Sequence, residues 1–150
     1  MKVAMVKHTS CGQVFWFEIP ERLVGKLYPG SHVVCDTARG RRCGTVVASD
    51  LDDQDVKEIM TASGAIFPLR KIIAITQKVR LSDIKIPAYM ARTKPRDEKI
   101  AKRFLEIYHT GQFNTNIALD DSGFLVDGYS AYLVAQALGF TFLSVICEEV

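Results

Sequence analysis

Alternating apolar and polar residues dominate the first half of the chain, and this two-residue period is typical of strands. The pattern predicts five strands, over residues 2–8, 13–19, 32–37, 43–49 and 71–76. The segment Ala38-Arg39-Gly40-Arg41-Arg42 predicts a hairpin between the third and fourth strands, and residues 52–62 predict a short helix. Five short strands with closely spaced turns are typical of a small β-barrel, which we expect over residues 1–76.

The second half of the chain changes to helical periodicity. Residues 95–110 predict a helix that ends at Gly111 and carries an apolar stripe of Ile100, Phe104, Leu105 and Tyr108. Residues 123–147 predict a strand, a glycine turn at Asp127-Gly128, a helix and a closing strand. We therefore expect an α/β domain over residues 77–150 and an α+β protein as a whole.

The predicted glycine turn is a candidate anion site. A strand that enters a helix through a glycine points the first helical N–H groups outward, which suits a phosphate or a carboxylate. Gly128, Tyr129 and Ser130 would supply these groups. Asp127 is the single candidate for a general base or metal ligand, although an N-cap is the simpler role for it. The alternative is an ordinary strand–helix–strand unit that binds nothing.

The charge of this folded-type sequence is unevenly distributed. The 150 residues are 48% hydrophobic with a net charge of +2, but residues 78–103 hold nine basic and three acidic residues. Residues 104–150 hold six acidic residues and no basic one. Cations for an anion at the turn must therefore come from elsewhere, and the candidates are Arg92, Lys94, Arg96, Lys99 and Arg103. A solvated helix face is the alternative interpretation of this basic segment.

Residues 79–150 resemble the ParB N-terminal, or ParB/sulfiredoxin-like, domain. The resemblance rests on the order of short segments, which are Lys94-Pro95-Arg96, a helix ending in Gly111-Gln112, Ile117-Ala118-Leu119, Leu125-Val126-Asp127-Gly128-Tyr129 and Leu138-Gly139-Phe140. It implies that the glycine turn holds nucleotide phosphates, with a nucleotide and magnesium as the cofactor. Some family members hydrolyse CTP or cut nucleic acid, and sulfiredoxins use ATP to repair an oxidised cysteine.

The chain departs from this family at the phosphate motif. Family members follow the glycine with Glu-Arg-Arg or His-Arg, whereas this chain has Gly128-Tyr129-Ser130-Ala131, and the sulfiredoxin cysteine is missing. The sequence thus predicts a nucleic-acid- or nucleotide-binding protein, of regulatory or mobile-element type, without an intact catalytic set. One alternative is a ParB-like nuclease or nucleoside triphosphatase that uses Asp127, and another is a protein-interaction module with a decayed ligand site.

The first half resembles the N-terminal DNA-end-binding barrel of the primosomal helicase PriA. The shared pattern is an aromatic strand, a Pro29-Gly30 turn, a Gly-Arg-Arg hairpin and a Gly-x-Val-Val strand. The resemblance implies contact with nucleic-acid ends, and Arg39, Arg41 and Arg42 are the candidates to contact phosphates. An arginine-rich tip that only keeps the sheet soluble is the equal alternative.

Metal binding and membrane insertion are not predicted. His32 and Cys35 are three residues apart on a strand and therefore point to opposite faces, which argues against a shared zinc. The four cysteines show no Cys-x-x-Cys spacing and are interpreted as reduced thiols. No apolar run reaches the roughly 20 residues of a membrane span, so we expect a cytoplasmic protein. Apolar strands at both ends permit a homo-oligomer.

Overall fold

The computed structural model describes residues 1–9 and 11–149, apart from the side chain of Glu148. The protein is mixed α+β, and these residues form eight strands and four α-helices. The chain divides into two compact units. The first consists of Met1–Thr76 together with the C-terminal residues from Glu148, and the second consists of Gln77–Cys147.

Five strands build the first unit. They are β1 (Lys2–His8), β2 (Val14–Glu18), β3 (His32–Thr37), β4 (Gly40–Asp52) and the first half of β5 (Ile72–Arg80). They pair antiparallel in the order β2-β1-β4-β3-β5. All five predicted strands are confirmed, and β4 is longer than predicted at both ends.

Strand β1 is buried on both faces, as its composition requires. Ala4 and Val6 lie in the main core of the first unit. Val3 points the other way and packs with Met60 of helix α1 (Asp53–Ala62). The predicted helix begins where it does because the Asp52 carboxylate accepts a hydrogen bond from the Gln54 N–H at 3.0 Å.

The two outer strands of the first unit, β2 and β5, meet at one place. The Glu18 N–H donates to the Arg70 carbonyl at 2.8 Å, and Glu18 forms a parallel bridge with Lys71 just before β5 begins. A closed barrel has a continuous hydrogen-bonded seam between its first and last strands. In the part of the chain that the structure describes, this bridge is the pairing that joins them, and it is not a continuous seam.

The second unit contains three helices, the end of β5 and three further strands. The helices are α2 (Ala88–Ala91), α3 (Asp97–Thr110) and α4 (Tyr129–Ala137), and the strands are β6 (Ala118–Leu119), β7 (Leu125–Asp127) and most of β8 (Phe142–Glu149). Strand β6 lies between the other two, antiparallel to β7 and parallel to β8. The predicted strand–helix–strand segment β7–α4–β8 is therefore present, but its two strands are not neighbours and run in opposite directions.

Helix α4 is the centre of the core of the second unit. Ala131 and Ala135 are fully buried and pack with Leu125, Leu143 and Val145. Small side chains on α4 allow the strands to approach the helix closely. Gly139 ends this segment with a φ of 75°, the left-handed conformation expected just after a helix.

Helix α3 turns its apolar stripe away from the core. Phe104, Leu105 and Tyr108 are 44%, 48% and 73% exposed, whereas Arg103 is buried. An apolar stripe ordinarily faces the core, but helical spacing defines a face without saying what lies against it. Arg96 is the N-cap of this helix, which begins at Asp97 rather than at the predicted Pro95.

Candidate anion-binding groove

Basic residues line a shallow, open depression at the start of helix α3, formed by the segment of residues 94–103 alone and called the groove below. The groove has a volume of about 960 Å³, and its basic residues are Lys94, Arg96, Lys99, Lys102 and Arg103. Arg96 is the N-cap of the helix and has an extended conformation, with φ −60° and ψ 147°. Residues three and four apart lie on the same side of a helix. Arg96, Lys99 and Arg103 therefore follow one another along the groove.

Four of these cations form no ion pair among the described residues. Lys94, Arg96, Lys99 and Lys102 form no salt bridge with any residue in the described ranges 1–9 and 11–149. The acidic residues of the groove occupy the first helical turn, where the helix dipole stabilises them. Cations held close together repel one another, and an anion between them lowers that energy. The groove therefore has the electrostatics of an anion site.

Arg103 differs from the other four cations because it is buried, with 8% of its surface exposed. Its Nη1 donates to both carboxylate oxygens of Glu106, at 2.7 and 2.8 Å. Glu106 also accepts a hydrogen bond from the Asn114 N–H at 3.1 Å, which fixes the carboxylate. The Nε–H of Arg103 is buried and finds no acceptor among the residues described. A buried donor without an acceptor costs about 1–3 kcal/mol.

The predicted glycine turn at the start of α4 is present, but its glycine is needed because another segment of the chain packs closely against it. Gly128 is the N-cap of α4 and has a φ of 95°. A Cβ at this position would lie 2.9 Å from the carbonyl oxygen of Asn116 and 2.9 Å from Cγ1 of Ile117. Glycine is required because the backbone of residues 116–117 lies directly against it. None of the described residues of the turn lines the groove.

The remaining residues of the turn also lie outside the lining of the groove. Ser130 is buried, and the Tyr129 ring packs on the core beside Tyr132, 6.3 Å between centroids. Asp127 is exposed and does not cap α4, which has no side-chain hydrogen bond at its N-cap, so the N-cap prediction for Asp127 is wrong. Arg92 is the C-cap of α2 and lies outside the groove lining.

The predicted phosphate site thus falls into two parts. The structure brings Lys94, Arg96, Lys99 and Arg103 together and adds Lys102 to them. The turn residues and Arg92 do not join this groove. Two further features of α3 were not predicted, the pairing of Arg103 with Glu106 and the exposure of its apolar stripe. The sequence signal for the pair was the Arg-x-x-Glu spacing, which suits a helical ion pair.

The hairpin of the first unit does not gather its arginines at one tip. Thr37 pairs with Gly40, so the turn consists of Ala38 and Arg39 alone. Arg41 and Arg42 already belong to β4, and successive residues of a strand point to opposite faces. The three arginines therefore do not form a single basic patch.

The thiols of β3 and β4 are buried rather than activated. Burial raises the pKa of Cys35 and also the pKa of Cys43, so both stay protonated near neutral pH. A protonated thiol is a poor nucleophile and a poor metal ligand. The described part of the chain holds no cluster of three or more His, Cys, Asp or Glu side chains suited to a metal ion. None of its helices is both long and apolar enough to cross a membrane.

A comparison with protein-family models gives no match, and comparisons with curated proteins and with solved structures give no significant match. The resemblances to the ParB and PriA domains therefore stay sequence-based predictions. The functional argument rests on the geometry and the charges of the groove.

Proposed function

We propose that this protein binds nucleic acid at the groove beside the start of helix α3. The contacts are with the phosphates of the nucleic-acid backbone. The proposal rests on four basic side chains without ion pairs beside a buried arginine whose Nε–H lacks an acceptor within the described chain. Arginine and lysine are the side chains that pair best with phosphate oxygens. Contacts of this kind supply almost all of the affinity in sequence-independent binding.

The length and shape of the groove favour a polymer over a single nucleotide. Arg96 and Arg103 are seven residues apart, which is roughly 10 Å along a helix at ~1.5 Å per residue. Phosphates of one strand recur at roughly 3.4 Å along the axis of a duplex and at larger intervals in an extended single strand, so this length accommodates more than one phosphate. The groove is also open, whereas a nucleotide pocket encloses most of its ligand.

An enzyme is the weaker alternative. Asp127 is its single catalytic candidate, and this exposed carboxylate does not line the groove. Magnesium-dependent cleavage of an oligonucleotide, or hydrolysis of a nucleoside triphosphate, would establish an enzyme if Asp127→Ala removed it. A protein-interaction module with a decayed site would bind neither nucleotides nor oligonucleotides.

We also infer that the five strands of the first unit form a partly closed barrel of the PriA type, supported by the bridge between Glu18 and Lys71. A ParB-like origin of the second unit is supported by the strand, the glycine turn and the helix of residues 125–137. An experimental structure in which β2 and β5 are far apart would contradict the barrel.

The binding proposal is tested with a triple variant, Lys94→Ala/Lys99→Ala/Lys102→Ala. Fluorescence anisotropy of a labelled oligonucleotide measures the affinity from low to physiological salt. The triple variant should bind about tenfold more weakly or worse, because three phosphate contacts are lost. Its plot of log affinity against log salt should be shallower by about two to three, at 0.7–0.9 per phosphate contact.

The matched control is Arg22→Ala/Lys57→Ala/Lys78→Ala. It removes three exposed positive charges outside the groove, and distant charges are largely screened. Its affinity should stay within about twofold of the wild type. The proposal is wrong if the wild type binds no oligonucleotide, or if both triple variants weaken binding equally.

A further inference from the structure

Two exposed aromatic side chains lie on the helix that carries the groove. Phe104 and Tyr108 are 44% and 73% exposed, and their rings are nearly parallel, at 25°, with centroids 6.3 Å apart. Leu105 beside them is 48% exposed. A contiguous apolar patch of this kind on a protein surface marks an interaction site.

The aromatic pair and the cations occupy opposite flanks of helix α3. At about 100° per residue, Phe104 and Tyr108 lie roughly half a turn around the helix from Lys99 and Lys102. The buried Arg103 marks the side that packs on the unit, so an exposed crest that includes Leu105 separates the two flanks. With its side chains a helix is about 10–12 Å wide. A single strand of about four nucleotides, at roughly 3.4 Å or more each, can cross this width, so that phosphates at one end lie on one flank and bases at the other end lie on the other flank.

We infer that the aromatic pair stacks on the bases of a single strand whose phosphates lie in the basic groove. This inference rests on the proposed function and specifies its ligand as single-stranded DNA or RNA. Bases of a duplex are stacked on each other and cannot lie on the rings, whereas unpaired bases can. A basic groove combined with aromatic stacking platforms is the usual means of holding a single strand without sequence preference.

The positive charge on the opposite flank of α3 favours this ligand over an apolar protein partner. An apolar partner would cover Phe104 and Tyr108 but would leave the cations of the groove without counter-charge. A single strand covers the rings and neutralises the cations together. A second copy of the chain is the competing occupant, and light scattering alongside the binding measurement separates the two.

The test compares Phe104→Leu/Tyr108→Leu with the control Tyr28→Leu/Phe67→Leu. The control removes one exposed Tyr and one exposed Phe of the first unit. Leucine keeps an apolar side chain but has no ring face for stacking. Anisotropy measures the affinity for single-stranded DNA, for single-stranded RNA and for a DNA duplex of equal length. The α3 variant should lose about tenfold or more for the single strands and less than about twofold for the duplex. The control should match the wild type.

A ring-preserving variant, Phe104→Tyr/Tyr108→Phe, should bind single strands as the wild type does. Unchanged single-strand affinity in the leucine variant of α3 overturns the inference. An equal loss of affinity for the duplex also overturns it. So does a lower mass of the leucine variant by light scattering without a change in affinity, because the aromatic pair would then contact a second copy of the chain. If the lysine variant still loses binding, the groove proposal stands without the stacking. If neither variant loses binding, both are wrong.

Discussion

The two longer helices of the second unit begin alike but differ in what surrounds their first turns. Neither α3 nor α4 has a side-chain hydrogen bond at its N-cap, so each leaves N–H groups that need other acceptors. At α4 the chain packs against Gly128 and buries Ser130. At α3 the first turn is exposed and lies among cations without ion pairs.

This difference shows which signal points to a ligand. A glycine before a helix reports that backbone or a ligand comes close, and at Gly128 the neighbour is the protein's own chain. Unpaired charge next to a buried donor without an acceptor has no such internal explanation within the residues described. The α3 groove is therefore the stronger candidate, although its glycine-free sequence is less conspicuous.

The largest effect is expected from breaking the buried pair of α3. Arg103→Ala leaves the Glu106 carboxylate, whose side chain is 10% exposed, without its cation. Breaking a buried ion pair from one side costs about 3–5 kcal/mol. We expect the free energy of unfolding to fall by about this amount, measured by urea denaturation followed by circular dichroism.

The double variant Arg103→Leu/Glu106→Leu provides the control for this interpretation. It removes both charges and leaves no buried ion behind, so it should be more stable than Arg103→Leu alone. A double variant that is less stable than the single one would show that losing the hydrogen bond from the Asn114 N–H to Glu106 costs more than leaving the carboxylate without its cation.

A smaller loss is expected at the start of α4. Gly128→Ala puts a Cβ into the space occupied by the Asn116 carbonyl, in a left-handed conformation. Backbone strain and overpacking together should lower the free energy of unfolding by about 3 kcal/mol. Gly139→Ala is the matched control, because Gly139 also has a positive φ but has open space where the Cβ of an alanine would lie.

The control should lose only about 1 kcal/mol, the part that comes from the backbone conformation. An equal decrease in the free energy of unfolding for the Gly128 and Gly139 variants would mean that residues 116–117 can move to accommodate the new Cβ. The glycine turn would then be open enough to admit a ligand, and the contrast between the two helices would disappear.

The sequence predicted the first unit better than the second. Its strands are runs rich in β-branched and aromatic residues, and the Asp52 cap and the Gly40 turn are local signals that act through neighbouring residues. Strand β6 is only two residues long and lies between β7 and β8. So short a strand has no detectable period, and the strand order of the second unit could not be predicted.

The site was predicted in its charges but not in its geometry. The excess of basic residues before position 104 identified the groove residues, because charge can be read directly from composition. Which side of α3 faces the core depends on the elements packed against it, so the burial of Arg103 was not predictable. Gly128 was correctly expected in a turn, but the sequence does not show that Ile117 lies against it.

The first unit also buries a basic side chain, His8, but differs from the second unit in how the burial of Arg103 and of His8 is tolerated. His8 is 7% exposed and lies between the rings of Phe15 and Phe17, 4.9 and 5.6 Å away between centroids. Burial lowers the pKa of His8 below its ordinary 6.5, opposed by a hydrogen bond with the backbone of Cys43 and assisted by the charge of Arg42. His8 can lose its charge and stay neutral, whereas Arg103 cannot and needs Glu106.

This contrast predicts an acid-sensitive first unit. Above pH 6.5 the imidazole is neutral in both states, and no stability is lost. As the pH falls below 6.5 the unfolded chain takes up the proton first, so stability decreases until the pH passes the lowered pKa of the folded state. Thermal unfolding measured between pH 5 and 8, a window of ~3 pH units around the ordinary histidine pKa, should show that the stability decreases toward acid pH. His8→Phe should flatten it, and an unchanged slope would contradict the assignment.

The smallest change in stability is expected for a substitution of Ser130. This substitution also tests most directly whether α3 and α4 differ in ligand binding at their N-termini. Its hydroxyl makes no hydrogen bond with the described residues, and its side chain is buried in the first turn of α4. Ser130→Ala should change the free energy of unfolding by less than about 0.5 kcal/mol, since alanine favours the helix and no bond is lost. Oligonucleotide affinity should stay within about twofold, because the phosphates are assigned to α3. A clear loss of affinity in Ser130→Ala, with stability unchanged, would place a ligand at the start of α4 and show that both helices, not α3 alone, present their N-termini to it.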